Sequence, residues 1–147
     1  MNGSAARLCL VVLALLALAV TACSNRYRRD FGGGEPARPA PGVQAVVLND
    51  VASVEMSLAD GAIPFDLRSY GQWVQGHVPG ARLISLEDVR SGRGLPDDRA
   101  VPLLFMGEGP LDLNPERAAQ AAIDRGYFSV HLFPGGWIIW KAGRAAR

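Results

Sequence analysis

The side chains in this sequence best suited to reaction at neutral pH are the thiols of Cys9 and Cys23 and the imidazoles of His77 and His131. A cysteine beside a histidine would make a nucleophile with its base, and a set of four such ligands would hold zinc. Neither arrangement is expected. Cys9 lies in an apolar run, residues 8–20, behind the single charge of Arg7, the layout of an export signal that the mature protein has lost. Two lone histidines without cysteine make no structural zinc site, so no metal and no cofactor is expected. Two carboxylates stand together in the short stretch Gly107-Glu108-Gly109-Pro110-Leu111-Asp112-Leu113. Glu108 has the chemistry of a general base, but no partner acid or nucleophile accompanies it, and it reads as a solvated loop carboxylate.

The apolar stretch 8–22 is about 15 residues, short of the roughly 20 that a membrane-spanning helix needs, although an uncleaved anchor is the alternative. Val20-Thr21-Ala22-Cys23 resembles the lipobox of bacterial lipoproteins, whose cysteine receives a diacylglyceryl group and becomes the first mature residue. That resemblance implies a signal peptide over residues 1–22, lipidation at Cys23, and a membrane held through acyl chains. The expected location is the extracytoplasmic or periplasmic side of a bacterial envelope. Ser24, where lipoproteins kept at the inner membrane often carry Asp, weakly favours the outer membrane.

Residues 23–42 contain Arg26, Arg28, Arg29, three consecutive glycines and three prolines, and bury too little to fold, so they form a tether. Its arginines either rest on anionic head groups or are simply solvated. Of fifteen basic and fourteen acidic side chains, removal of residues 1–22 takes only Arg7, leaving fourteen of each. Nucleic acid is not an expected partner at that balance.

Residues 43–147, about 105, suffice for one small domain. Apolar runs of strand length fall at 44–48, 62–67, 82–84, 102–106 and 129–133. Between them a polar-start stretch spans 50–59 and helical patterns occupy 70–75 and 87–90, with a last helix at 136–142. The clearest helix begins with Asn114 as N-cap and Pro115 in first position and stops at Gly126, and its Ala118, Ala119, Ala122 and Ile123 should face a core. Strands alternating with helices imply the α/β class, a mainly parallel sheet covered on both faces, with 102–106 as the buried central strand.

Three segments in order resemble a rhodanese-like domain. Phe65-Asp66-Leu67-Arg68-Ser69 resembles that family's Asp-x-Arg strand end, and Gly76-His77-Val78-Pro79-Gly80-Ala81 is close to its Gly-His-Ile-Pro-Gly-Ala signature. Phe133-Pro134-Gly135-Gly136-Trp137-Ile138-Ile139-Trp140 resembles its Gly-Gly-x-x-x-Trp ending. In physical terms Pro79-Gly80 is a tight turn. His77 reads as structural rather than as an acid, base or ligand. Asp66 and Arg68 read as a hydrogen-bonded anchor rather than a catalytic carboxylate and its partner, and Trp137 and Trp140 as core or rim.

In active members of the family a loop after a central strand curls around a cysteine, and the next helix points its N-terminus at the sulfur. There the N–H groups and the helix dipole stabilise a thiolate or persulfide. The resemblance puts Gly107 at that position, with Met106 the nearest sulfur, so covalent sulfur transfer and the related phosphatase chemistry are not expected. The loop 107–113 carries Glu108 and Asp112 and no base before Arg117, which discourages an anionic substrate. Leu111 and Leu113 suggest that it folds over an apolar surface and presents a patch to an envelope protein partner. The leading expectation is a catalytically inactive, lipid-anchored binding or scaffolding module. The alternatives are an exported sulfurtransferase-related enzyme working with a partner's cysteine, a hydrolase using Glu108, and a purely structural envelope protein.

Overall fold

The computed structural model describes residues 42–146. The expected export signal, Cys23 and the tether as far as residue 41 lie outside the described residues, in which no helix is long and apolar enough to cross a membrane.

Strands and helices alternate along the chain. They are β1 (Val46–Val47), α1 (Val51–Ala59), β2 (Ile63–Asp66), α2 (Tyr70–Gln75), β3 (Arg82–Leu83), α3 (Leu86–Ser91), β4 (Leu103–Met106), α4 (Asn114–Asp124), β5 (Val130–Phe133) and α5 (Gly136–Ala145). The strands form one sheet in the order β1-β5-β4-β2-β3, with every pairing parallel. The α/β expectation holds, and β4, buried along its whole length, is the central strand.

Side chains alternate across the sheet, and each face takes a different set of helices. Leu103 and Phe105 of β4 point to one side and pack with Phe65, Val89 of α3, Ala118, Ala122 and Ile123 of α4, and Tyr127. Leu104 and Met106 point to the other and pack with Val51 and Val54 of α1, Val78, Phe133, and Trp140 of α5. Both faces are therefore dry, as a parallel sheet requires.

Local signals set most helix ends. Asp50 caps α1 by accepting the Ser53 N–H at 2.8 Å, and Ser85 caps α3 through the Asp88 N–H at 3.0 Å. Ser69 and Gln72 form a reciprocal capping box on α2. One expectation is corrected at α4: Leu113, not Asn114, is the cap residue, and it makes no side-chain cap bond. Asp112 supplies the missing acceptor from one residue further back, taking the Asn114 N–H on Oδ1 at 3.0 Å, so the helix starts a residue earlier than its Asn-Pro pair suggests. The other end matches expectation, with Gly126 at a φ of 93° just past the C-cap Arg125.

Candidate functional site

After β2 the chain turns outward through α2 to β3, and after β4 it turns the opposite way through α4 to β5. The carboxyl ends of β2 and β4 therefore flank a point where the strand order reverses, the place at which open α/β sheets form their crevice. Asp66 ends β2, Met106 ends β4, and residues 107–113 follow directly.

Arg68 is the centre of the crevice floor. Its Nε donates to both carboxylate oxygens of Asp66 at 3.0 and 3.1 Å, and its Nη2 donates to Asp66 Oδ2 and to the Gly76 carbonyl, each at 2.7 Å. The backbone N–H of Arg68 reaches Asp66 Oδ1 at 3.0 Å. The guanidinium also lies 5.0 Å from the Trp137 ring centroid. Both ionic side chains are out of water, so each depends on the other being present.

The third nitrogen of Arg68 changes the picture of Glu108. Arg68 Nη1 lies 3.4 Å from Glu108 Oε2, and Gln72 Nε2 donates to the same oxygen at 3.2 Å. Glu108 is half-exposed but not a free solvated carboxylate, which corrects the expectation drawn from its loop alone. A base does reach the loop, from the turn just past β2 instead of from the loop itself.

Asp112 closes the loop on itself. Its Oδ2 accepts the Glu108 N–H at 3.3 Å, its Oδ1 accepts the Asn114 N–H, and its own N–H donates to the Gly109 carbonyl at 2.9 Å. A carboxylate thus occupies the N-terminal end of α4, where the helix dipole favours negative charge. A Cβ placed on Gly107 would lie 2.1 Å from Asp112 Oδ2 and 2.8 Å from Pro115 Cγ, so the loop in this form has room only for glycine there.

From the far side α5 holds the loop. The Trp137 N–H donates to the Gly107 carbonyl at 2.9 Å and the Ile138 N–H to the Glu108 carbonyl at 3.0 Å. This approach needs Gly136, at a φ of 55°, because a Cβ there would come within 2.5 Å of the Gly107 oxygen. The Gly-Gly pair thus lets the helix end meet the loop backbone. Sequence reasoning missed Gln72 and Gly136 as parts of the site; the Ser-x-x-Gln capping pattern and the adjacent glycines were the available signals.

Leu111 and Leu113 do not fold inward. Leu111 is 96% exposed and Leu113 54%, which corrects the expectation that they cover an apolar surface. Leu111 instead forms one wall of an open depression of about 300 Å³, shared with Glu108, Gly109, Pro110, Asp112 and Ile138. All seven residues of the loop are thus at or beside the crevice, Gly107 and Gly109 buried beneath it and Pro110, Leu111 and Leu113 exposed above it.

The histidines lie in separate hydrogen-bonded pairs. His77 Nδ1 donates to the Trp73 carbonyl at 3.0 Å, and its ring stacks on Trp73 at a centroid distance of 4.1 Å, while Trp73 Nε1 donates to the Ala81 carbonyl. The motif around His77 therefore ties α2 to the turn before β3. His131 Nδ1 lies 2.6 Å from Ser57 Oγ, and burial pushes its pKa below the ordinary histidine value, against a smaller raising effect of Asp60. Among the described residues no three His, Cys, Asp or Glu side chains converge to hold a metal ion.

No family model and no curated protein sequence matches the chain. Solved structures do. The human single-domain sulfurtransferase TSTD1 superposes with a TM-score of 0.56 at 22% identity, covering 69% of this chain and 97% of that one. The BH2092 protein of Bacillus halodurans gives 0.57 at 20% identity, covering 65% and 72%. The rhodanese-like domain of the Alr3790 protein of Anabaena gives 0.54 at 21% identity, covering 64% and 72%. At such identities the likeness establishes the fold.

Proposed function

We propose that this chain, a rhodanese-like fold, is a catalytically silent binding module that recognises a protein partner through the loop 107–113. The observation that carries the reading is the relation of Gly107 to Asp112. The resemblance in sequence places the family's nucleophile at Gly107, and here that position has no side chain, while a carboxylate fills the space into which one would project. A nucleophile and an anionic substrate are thereby both disfavoured at the same point. What remains outward is the exposed pair Pro110-Leu111 beside Ile138, an apolar surface on a loop clamped by Arg68, Asp112 and α5. Binding surfaces of this kind gain from being held in one shape before the partner arrives.

The export signal, the lipid on Cys23 and a location on the extracytoplasmic side of a bacterial envelope belong to the same proposal, supported by the lipobox-like Val20-Thr21-Ala22-Cys23. The partner is then an envelope protein. The rival reading, a sulfurtransferase-related enzyme working with a partner's cysteine, draws on the fold it shares with the human sulfurtransferase.

Two measurements on the full chain in native membranes decide between them. Crosslinking followed by co-purification should yield a partner with the natural loop and lose it with Leu111→Asp. Thiosulfate-to-cyanide sulfur transfer should stay at the level of a heat-killed control, with and without that partner. Turnover above control would favour the enzyme, and a partner retained by Leu111→Asp would place recognition elsewhere.

A further inference from the structure

The described residues include eight arginines, and half of them are accounted for. Arg68, Arg93 and Arg144 pair with carboxylates, and Arg99 contacts Tyr127 and the Pro96 carbonyl. Arg82, Arg90, Arg117 and Arg125 have no carboxylate within ion-pair distance among the described residues. Three of these four converge on one place, an open groove of about 430 Å³ between α3 and α4 lined by Arg90, Arg117, Gln120, Ala121, Asp124 and Arg125.

The groove is built, not merely decorated. Gly92, which ends α3 at a φ of 82°, lets the Arg125 guanidinium lie against bare backbone; a Cβ there would sit 2.2 Å from its Nη2. Nη1 of Arg125 donates to the Arg90 carbonyl at 2.9 Å, which fixes the guanidinium across the gap between the helices. Its Nε is buried with no acceptor, a cost that folds seldom carry without a reason. The lining has a single carboxylate, Asp124, which accepts from Gln120 Nε2 at 2.9 Å, so the three guanidinia exceed the negative charge of the groove by two. Like charges lining one groove repel, and an anion there would offset that repulsion.

We infer that the groove between α3 and α4 is a binding site for a phosphate-bearing anion, held by Arg90, Arg117 and Arg125. Guanidinium suits phosphate because its planar fork donates two parallel hydrogen bonds to adjacent oxygens. Gln120 adds a neutral donor at the rim. The site shares no lining residue with the depression at the loop 107–113 and stands whether or not that loop binds a partner. A lipid head group and a soluble phosphate compound share the chemistry.

The test uses the full chain in phosphatidylcholine nanodiscs, titrated with inorganic phosphate while the arginine Nε–H signals are followed by NMR. The signals of Arg90, Arg117 and Arg125 should shift together and saturate with a Kd below about 1 mM. Arg117→Gln and Arg90→Gln should each weaken binding by about tenfold or more, while Arg82→Gln, unpaired but outside the groove, leaves it unchanged. A second arm replaces part of the lipid with phosphatidylglycerol and omits free phosphate. The same three signals shifting there assign the ligand to a head group, and their shifting only with free phosphate assigns it to a soluble compound. Absence of a saturable shift in both arms, or equal losses for Arg117→Gln and Arg82→Gln, overturns the inference.

Discussion

Asp112 Oδ2 stands in the space that a side chain on Gly107 would need, 2.1 Å from where a Cβ would be. Gly107→Cys alone should therefore destabilise the domain by roughly 1–3 kcal/mol, the usual cost of overfilling a packed site. Adding Asp112→Ala should recover a large part of it, although Pro115 Cγ still has to yield. A denaturant double-mutant cycle reads the coupling directly. In the double variant the thiol faces the Glu108 N–H and the α4 N-terminus and should titrate below about 8.5. Additive losses in the cycle would mean the two positions do not compete for space.

Arg68 holds two carboxylates on unequal terms. Asp66 is buried with it, so Asp66→Asn or Arg68→Ala leaves an uncompensated buried charge or a broken network and should cost about 3–5 kcal/mol. The Glu108 pair is longer and its carboxylate side chain 42% exposed, so Glu108→Gln should cost less than about 1 kcal/mol. Urea titration of the three variants checks the ranking, which reverses if the loop pair is the stronger one.

Leu111 is nearly all in solvent, and Leu111→Asp should alter stability by no more than about 0.5 kcal/mol. Its effect belongs to association. An unchanged denaturation midpoint together with a lost crosslink would separate recognition from folding, whereas a lowered midpoint would show that Leu111 supports the loop.

Burial lowers the pKa of His131 in the folded state, so its neutral form is the one the fold prefers, with Nδ1 hydrogen-bonded to Ser57 Oγ. The stabilisation is present above the unfolded value of about 6.5 and is lost as pH falls through the folded one. Asp50 and Asp88, also lowered, by hydrogen bonds from Ser53 and Ser85 respectively, add a separate loss at pH values below about 3.8. Stability measured from pH 7 to 3 should fall in two stages, and His131→Gln should flatten the first. A wild-type-like first stage in that variant would assign it to another group.

The sequence carried the fold because the apolar runs, turns and caps that make it are local. β2, α2 and β4 lie within a residue or so of where their patterns predict them. The site was less legible. Arg68 and Glu108 are forty positions apart and meet only because the strand order places β2 beside β4. The direction of Leu111 and Leu113 follows from the turn that Asp112 closes, which no periodicity announces. At α4 the Asn-Pro pair gave the right helix but the wrong cap, since the true acceptor comes from the preceding turn.

The bonds from the Trp137 and Ile138 N–H groups to the Gly107 and Glu108 carbonyls join segments some thirty positions apart. A contact of that span closes a loop that includes a helix and a strand, so its formation is a non-local event distinct from the local turns and caps. The same bonds need only α5 to lift for the loop to be released, with the central strands still paired. Protease sensitivity and amide exchange in residues 107–113 should then track the docking of α5, a local opening read separately from global unfolding.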